Sequence, residues 1–162
     1  MNAVAHGSGM TIREAVPADR DELVEIWLRS VRETHAFLTE NDIHALLPLV
    51  RQELRGEDLE LWVLTSEDGT SIGFMGLSIA KVEALFLDPD HRRRGGGRML
   101  LDHARRRKGA LAVDVNEQNP EAVRFYEALG FTIIGRSPVD DAGRPFPVLH
   151  MQQHPAQEPR RD

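Results

Sequence analysis

Cysteine is absent from all 162 residues. With it go disulfides, thiolate metal sites and any covalent enzyme–thiol intermediate. Aromatic residues are scarce at 6%, with two Trp, six Phe and a single Tyr, Tyr126. No apolar run approaches the ~20 residues a helix needs to span a bilayer. The N-terminus also lacks the apolar segment of a signal peptide, so no membrane partner and a cytoplasmic location are expected. The seven histidines show no His-Glu-x-x-His pairing and no other metal-ligand spacing, so no metal is expected. Positive charge is in deficit: 20 Lys and Arg against 26 Asp and Glu leave a net charge of −6, which argues against a general nucleic-acid binder. The one basic stretch carries no interleaved aromatics, so it is not a single-strand platform.

What is present suits an ordinary globular domain, with 41% hydrophobic and 28% charged residues. The length is that of one domain, expected over residues 10–152, with flexible tails at 1–9 and 153–162. Residues 11–16 read as a strand and 17–19 as a helix start. Leu23, Ile26, Trp27, Ser30, Val31 and Thr34 then share one helical face. Asn41 or Asp42 is the expected cap of a second helix through Arg55, stopped by Gly56. Strands are expected at 59–66, 71–78 and 82–87, the first two joined by a turn at Asp68-Gly69. A helix over 97–108, a strand at 111–115, a helix over 120–129 and strands at 131–135 and 147–151 complete the chain. Strand–helix–strand at 82–115 implies a parallel pair with a right-handed crossover. The fold class is α/β with a mixed sheet.

Residues 88–101, DPDHRRRGGGRMLL, organise the rest. An apolar strand runs into them, and Met99, Leu100, Leu101 and Ala104 follow at helical spacing. A helix start offers unpaired N–H groups and the positive end of the macrodipole. Without a Cβ at Gly95, Gly96 and Gly97, an anion can approach that backbone closely, and Arg92, Arg93, Arg94 and Arg98 add positive charge. The simplest ligand is a pyrophosphate. Arg98-Met99 fails the Lys-Ser/Thr requirement of a P-loop, and Leu100 fails the third glycine of a dinucleotide fingerprint. The remaining basic cluster, Arg105 to Lys108, fits cations favoured at a helix C-terminus.

The spacing Arg92-x-x-Gly95-x-Gly97 resembles the acetyl-CoA signature of the GCN5-related N-acetyltransferases, the GNAT family. Residues 116–131, NEQNPEAVRFYEALGF, resemble the second half of that family's cofactor site, with Asn119 near the helix start and Tyr126 in its middle. Residues 26–38, 114–119 and 135–147 look most like the small bacterial YjaB-type branch. The resemblance spans roughly residues 12–151. It implies the GNAT fold, with splayed central strands, helices on both sheet faces, and a V-shaped opening between strands 82–87 and 111–115. Pantetheine would pair with the backbone of Leu85, Phe86 and Leu87, and the pyrophosphate would sit on the amides of Arg93 to Arg98. Two positions depart from the family's pattern: Arg93 stands where glycine is frequent, and Gly96 where a branched apolar residue is common.

The resemblance implies direct acetyl transfer from acetyl-CoA to a primary amine in a ternary complex, releasing CoA. Tyr126 stands at the family's general acid, and a phenol of ordinary pKa near ~10 is protonated at neutral pH. The oxyanion would be held by the backbone N–H of Phe86 or Leu87. The base is open between Glu83, which as a buried carboxylate would have a raised pKa, and His35, Asp140 or a water chain. Trp27, Ser30, His35 and Asp140 are the candidate acceptor-side residues. The acceptor is open between a small amine, an amino acid, a protein Lys or N-terminus and an aminoacyl-tRNA, the last being the one nucleic acid expected. The state is monomer or homodimer. A non-catalytic acyl-CoA sensor is the alternative, and a structural protein binding another nucleotide a third.

Overall fold

A computed structural model describes residues 4–5 and 9–155. The chain forms two compact units, Met1–Ser78 with Val82–Leu101, and Ile79–Lys81 with Asp102–Asp162.

In the first unit, β1 (Val4–Ala5), β2 (Thr11–Glu14), β3 (Glu60–Thr65), β4 (Ser71–Ser78) and β5 (Lys81–Leu87) lie side by side in that order. The pairs β1–β2, β2–β3 and β3–β4 are antiparallel, with Ile12 opposite Leu64 and Val63 opposite Phe74. Period-two alternation sorts the side chains. Val63 and Phe74, with Leu61, Ala84 and Phe86, pack against α1 (Arg20–Thr34) and α2 (Glu40–Arg55). Leu64 points to the opposite face, toward the start of α3 (Gly96–Lys108).

Local chemistry explains the helix boundaries. Pro17–Asp19 forms one 3-10 turn, and the Asp19 carboxylate accepts two bonds from Arg13 and one from the Val16 amide, all at 2.8 Å. In α1, Leu23, Ile26, Trp27, Ser30 and Val31 form the buried stripe. The second helix is capped by Thr39, not by Asn41 or Asp42. Thr39 Oγ1 accepts from the Asp42 amide at 3.1 Å while the Asp42 carboxylate accepts from the Thr39 amide at 2.9 Å. Asp42 is therefore the return half of a capping box. Pro48 lies inside α2 and has no N–H for the His44 carbonyl. Gly56 closes α2 as expected, its N–H donating to Gln52 at 3.0 Å.

In the second unit, β6 (Ala112–Asn116), β7 (Phe131–Ser137) and β8 (Val148–Gln153) lie in the order β6–β8–β7, all antiparallel, with α4 (Pro120–Ala128) preceding β7. Val113, Val115, Phe131 and Met151 are buried. Asp114 and His150 stand opposite each other on the other face. The strand expected to end at Gly135 continues to Ser137 because a register irregularity between Ile133 and Gly135 absorbs one residue. The expected tails fall largely outside the described residues. Of those that are described, Val4–Ala5 pair with β2 and Gln153 is the last residue of β8.

Two close fits carry testable consequences. A Cβ at Gly96 would lie 2.7 Å from Leu64 Cδ2 and 2.9 Å from Leu87 Cδ1, so the branched side chain common in the family is replaced by leucines from the sheet. Gly96→Val is expected to cost about 1–3 kcal/mol of stability by overpacking. In chemical denaturation, the Gly96→Val/Leu64→Ala double variant should be more stable than the two separate losses summed. Ile79, 86% exposed, turns the chain from β4 to β5 with φ of +56°. A β-branched residue there carries roughly 1–2 kcal/mol of strain. Glycine relieves it at a loss of roughly 0.5–1 kcal/mol in chain entropy, so Ile79→Gly should raise stability by up to about 1 kcal/mol.

Candidate active site

The loop begins at a fixed point. Asp88, 9% exposed, follows β5, and its N–H donates to the Ile72 carbonyl at 2.8 Å. Its Oδ1 accepts from the Asp90 amide at 3.0 Å, starting a short 3-10 turn at Pro89–His91. Its Oδ2 accepts from Arg29 Nη2 of α1 at 2.7 Å. Burial pushes the Asp88 carboxyl up, but the Asp90 amide and the Arg29 guanidinium outweigh it and hold it below the usual carboxylate range. An ionised anchor therefore pins the strand end to α1.

Beyond it, Arg92 is half-buried while Arg93, Arg94, Gly95 and Arg98 are exposed. Arg93 adopts φ of +64°, the left-handed region glycine prefers, which explains why glycine is frequent at this position in the family it resembles. Gly95 has φ of +83°, and no atom lies within 4 Å of where its Cβ would be. The Met99 amide makes its bond to the Gly95 carbonyl at 3.0 Å, so the amides of Gly96, Gly97 and Arg98 precede the first i→i−4 bond of α3. Three amides, an open glycine and a guanidinium-rich rim fit a pyrophosphate. Leu85, Phe86 and Leu87 of β5 are half-buried.

A pocket of about 140 Å³ opens in the same unit, walled by Trp27, Phe74, Phe86 and Leu54 with Glu53 and Glu83 on its lining. Glu83 is exposed, so the buried, desolvated base expected from the sequence is not found at that residue. Glu53 has no motif around it in the sequence; only the packing of α2 brings it to the pocket that Glu83 lines. Trp27 serves both the core and this wall, and Ser30 is buried beside it on α1. His35 caps α1, its N–H donating to Val31 at 2.9 Å. The single Thr34 hydroxyl proton goes to the Ser30 carbonyl at 2.8 Å, so His35 Nδ1–H donates in its 2.7 Å contact with Thr34 Oγ1. Burial pushes the His35 imidazolium down to about 4, leaving a neutral, feebly basic ring.

In the second unit, Asn119 caps α4. Its Oδ1 accepts from the Ala122 amide at 3.2 Å, a structural duty the motif does not reveal. Tyr126, 7% exposed, lies edge-on between Phe125 and Phe131, with ring centroids 5.1 and 5.2 Å away. Burial alone pushes its phenol well above the usual value, so it stays protonated across the physiological range. Asp140 is spent on its own turn: Oδ1 accepts from the amides of Ala142 at 3.0 Å and Arg144 at 2.8 Å.

Residues 57–133 match the family of the Acetyltransferase (GNAT) domain. Over 142 residues the chain is 44% identical to the peptidyl-lysine N-acetyltransferase YjaB of Escherichia coli (strain K12), spanning 88% of this chain and 95% of that protein. The Salmonella typhimurium protein of the same name is 41% identical over 142 residues, spanning 88% and 97%. The solution structure of the apo form of YjaB from Escherichia coli superposes with a TM-score of 0.83 at 42% identity, over 91% of this chain and 99% of that one. These relatives are named as enzymes, which answers the sensor alternative in favour of catalysis. Likeness of that extent, on a strand–loop–helix junction of the expected geometry, is kinship: the chain belongs to the GCN5-related N-acetyltransferase family and is an N-acetyltransferase.

Proposed function

We propose that the protein transfers acetyl from acetyl-CoA to the side-chain amine of a protein lysine, by direct attack within a ternary complex. The observation that carries the mechanism is the burial of Tyr126, the one tyrosine of the chain, where its phenol keeps its proton. Acetyl-CoA supplies the activated acyl group; the chain's residues do the rest. In the first unit, the amides of Arg93 to Arg98 hold the pyrophosphate, with Arg92, Arg94 and Arg98 contributing charge. The backbone of Leu85, Phe86 and Leu87 aligns the pantetheine, and an N–H of Phe86 or Leu87 faces the oxyanion. In the second unit, Asn119 presents α4 and Tyr126 donates its proton to the departing thiolate.

The lysine reading rests on two supports. The relatives that share 41–44% of the sequence are named peptidyl-lysine N-acetyltransferases. The first unit's pocket is also far smaller than the ~300–1,000 Å³ of small-molecule sites, and it presents apolar walls with two carboxylates, Glu53 and Glu83. An aliphatic stem ending in an ammonium suits that lining. Glu83 holds the incoming ammonium and passes its proton to water, since His35 is too weak a base.

Tyr126→Phe is expected to keep acetyl-CoA affinity while losing roughly 10²–10⁴-fold in kcat on a lysine peptide. Unchanged turnover overturns the general-acid role. In thermal melts of wild type and Tyr126→Phe, acetyl-CoA or CoA at 100-fold above Kd should add about 2.7 kcal/mol. NAD and ATP at matched concentration should add nothing, and a melt indifferent to CoA overturns the phosphate loop. Arg29 acts through Asp88: a charge-assisted bond worth roughly 1.5–3 kcal/mol, discounted for the half-exposed guanidinium, amounts to about 1 kcal/mol. Arg29→Ala should therefore raise KM for acetyl-CoA by up to about fivefold and leave KM for the peptide unchanged.

A further inference from the structure

The second unit holds a constellation that acetyl transfer does not use. His150 of β8 faces Asp114 of β6, with Nδ1 2.7 Å from Asp114 Oδ1, while its Nε2 lies 2.7 Å from Ser137 Oγ of β7. Lys81 Nζ is 2.9 Å from the other oxygen, Asp114 Oδ2. Burial pushes the Asp114 carboxyl up, but Lys81 and His150 outweigh it and hold it below the usual range, so it is ionised. A carboxylate can only accept, so His150 Nδ1 must carry a proton. In the neutral ring, Nε2 then holds the lone pair, and the Ser137 hydroxyl donates to it. That is the proton order of a hydroxyl activated by a base that a third group orients.

Strand register puts Ser137 there. Ile133 pairs with Met151, but after the irregularity it is Gly135 that pairs with His150, and Ser137 with Val148. Without the extra residue, Arg136 would occupy the His150 face in place of Ser137. A bulge that re-aims one side chain is a device found beside reactive sites. Gly135 leaves the flank of the imidazole open, since a Cβ there would be 3.5 Å from His150 Cδ2. The group is reachable from solvent: the side chains of His150 and Asp114 are 36% and 26% exposed, and Ser137 is half-buried.

We propose that Ser137, His150 and Asp114 form a second reactive site, in which Ser137 is a nucleophile toward small activated acyl esters, independently of acetyl-CoA. Ser137 Oγ forms a bond to the ester carbonyl carbon as its proton passes to His150 Nε2. The bond to the leaving oxygen breaks, and that oxygen takes the proton from His150. Water then attacks the acyl-serine, gives its proton to Nε2, and the proton returns to Ser137 as the acid is released. Lys81 keeps Asp114 ionised and hence His150 in the required tautomer. The next residue, Pro138, has no N–H, so the adjacent amide that would stabilise the oxyanion is missing. Removing such a donor costs roughly 10²–10³-fold. Both steps are slowed, but only acylation expels an activated leaving group, so with such esters the site should acylate in a burst and deacylate slowly.

With p-nitrophenyl acetate, a burst of about one p-nitrophenol per chain is expected, with the acetyl group found on Ser137 by peptide mass spectrometry. Ser137→Ala should abolish the burst, and His150→Gln should slow it by roughly 10²-fold or more. Acylation at other residues, or at a rate that His150→Gln leaves unchanged, overturns the proposal and reduces the group to a cross-strand hydrogen-bond lock. If either variant fails to fold, Ser137→Cys decides, because it introduces the one thiol of a cysteine-free chain. Its alkylation by iodoacetamide should titrate below the ordinary ~8.5. An ordinary value overturns the proposal.

Discussion

The loop between β5 and α3 depends on how closely a helix can approach a sheet. At Gly96 the backbone of α3 lies so near the side-chain ends of Leu64 and Leu87 that any Cβ would push them aside. The amides on either side are held in a fixed place relative to the end of β5. Asp88 completes the constraint, since its buried carboxylate ties the turn after β5 to Arg29 of α1. An anion site made of backbone donors gains strength from such rigidity, because nothing has to be reorganised when the ligand arrives. The tolerance of Arg93 at a left-handed position follows from the same frame: the surroundings dictate the conformation, and the residue accepts the strain.

How much of this was legible in the sequence depended on how far apart the partners lie along the chain. The strand–loop–helix junction was readable because its residues are neighbours along the chain, and α4 because Asn119-Pro120 and Gly130 bound it. Where two candidate caps stood within a few residues of the start of α2, the reciprocal bonds of Thr39 and Asp42 decided, and propensity could not. The Arg29–Asp88 pair joins residues 59 apart and leaves no local trace. Glu53 reaches its pocket through the rotation of α2, which periodicity gives only coarsely. The contact of His150 with Ser137 was the least readable, because a one-residue irregularity inverts the faces of everything after it.

The second unit's strands divide their labour between two faces. On one, Tyr126, Phe131 and Met151 exclude water and raise the phenol above its ordinary range. On the other, Asp114, His150 and Ser137 stay hydrogen-bonded and half-open. The same short strands thus border a buried phenol on one face and a hydrogen-bonded, half-open group on the other. Alternation along β6 is enough to keep the two apart, since Val113 and Val115 flank Asp114 with the opposite orientation.

Pro48 gives α2 an uneven stiffness along its length. The helix carries one backbone bond fewer at this turn, and the wall formed by Val50, Glu53 and Leu54 begins just beyond it. A helix bends most easily where an i→i−4 bond is missing, because no further bond has to break. Any bend of α2 is therefore concentrated at one turn, and the part of the helix that moves with it is the part that lines the pocket.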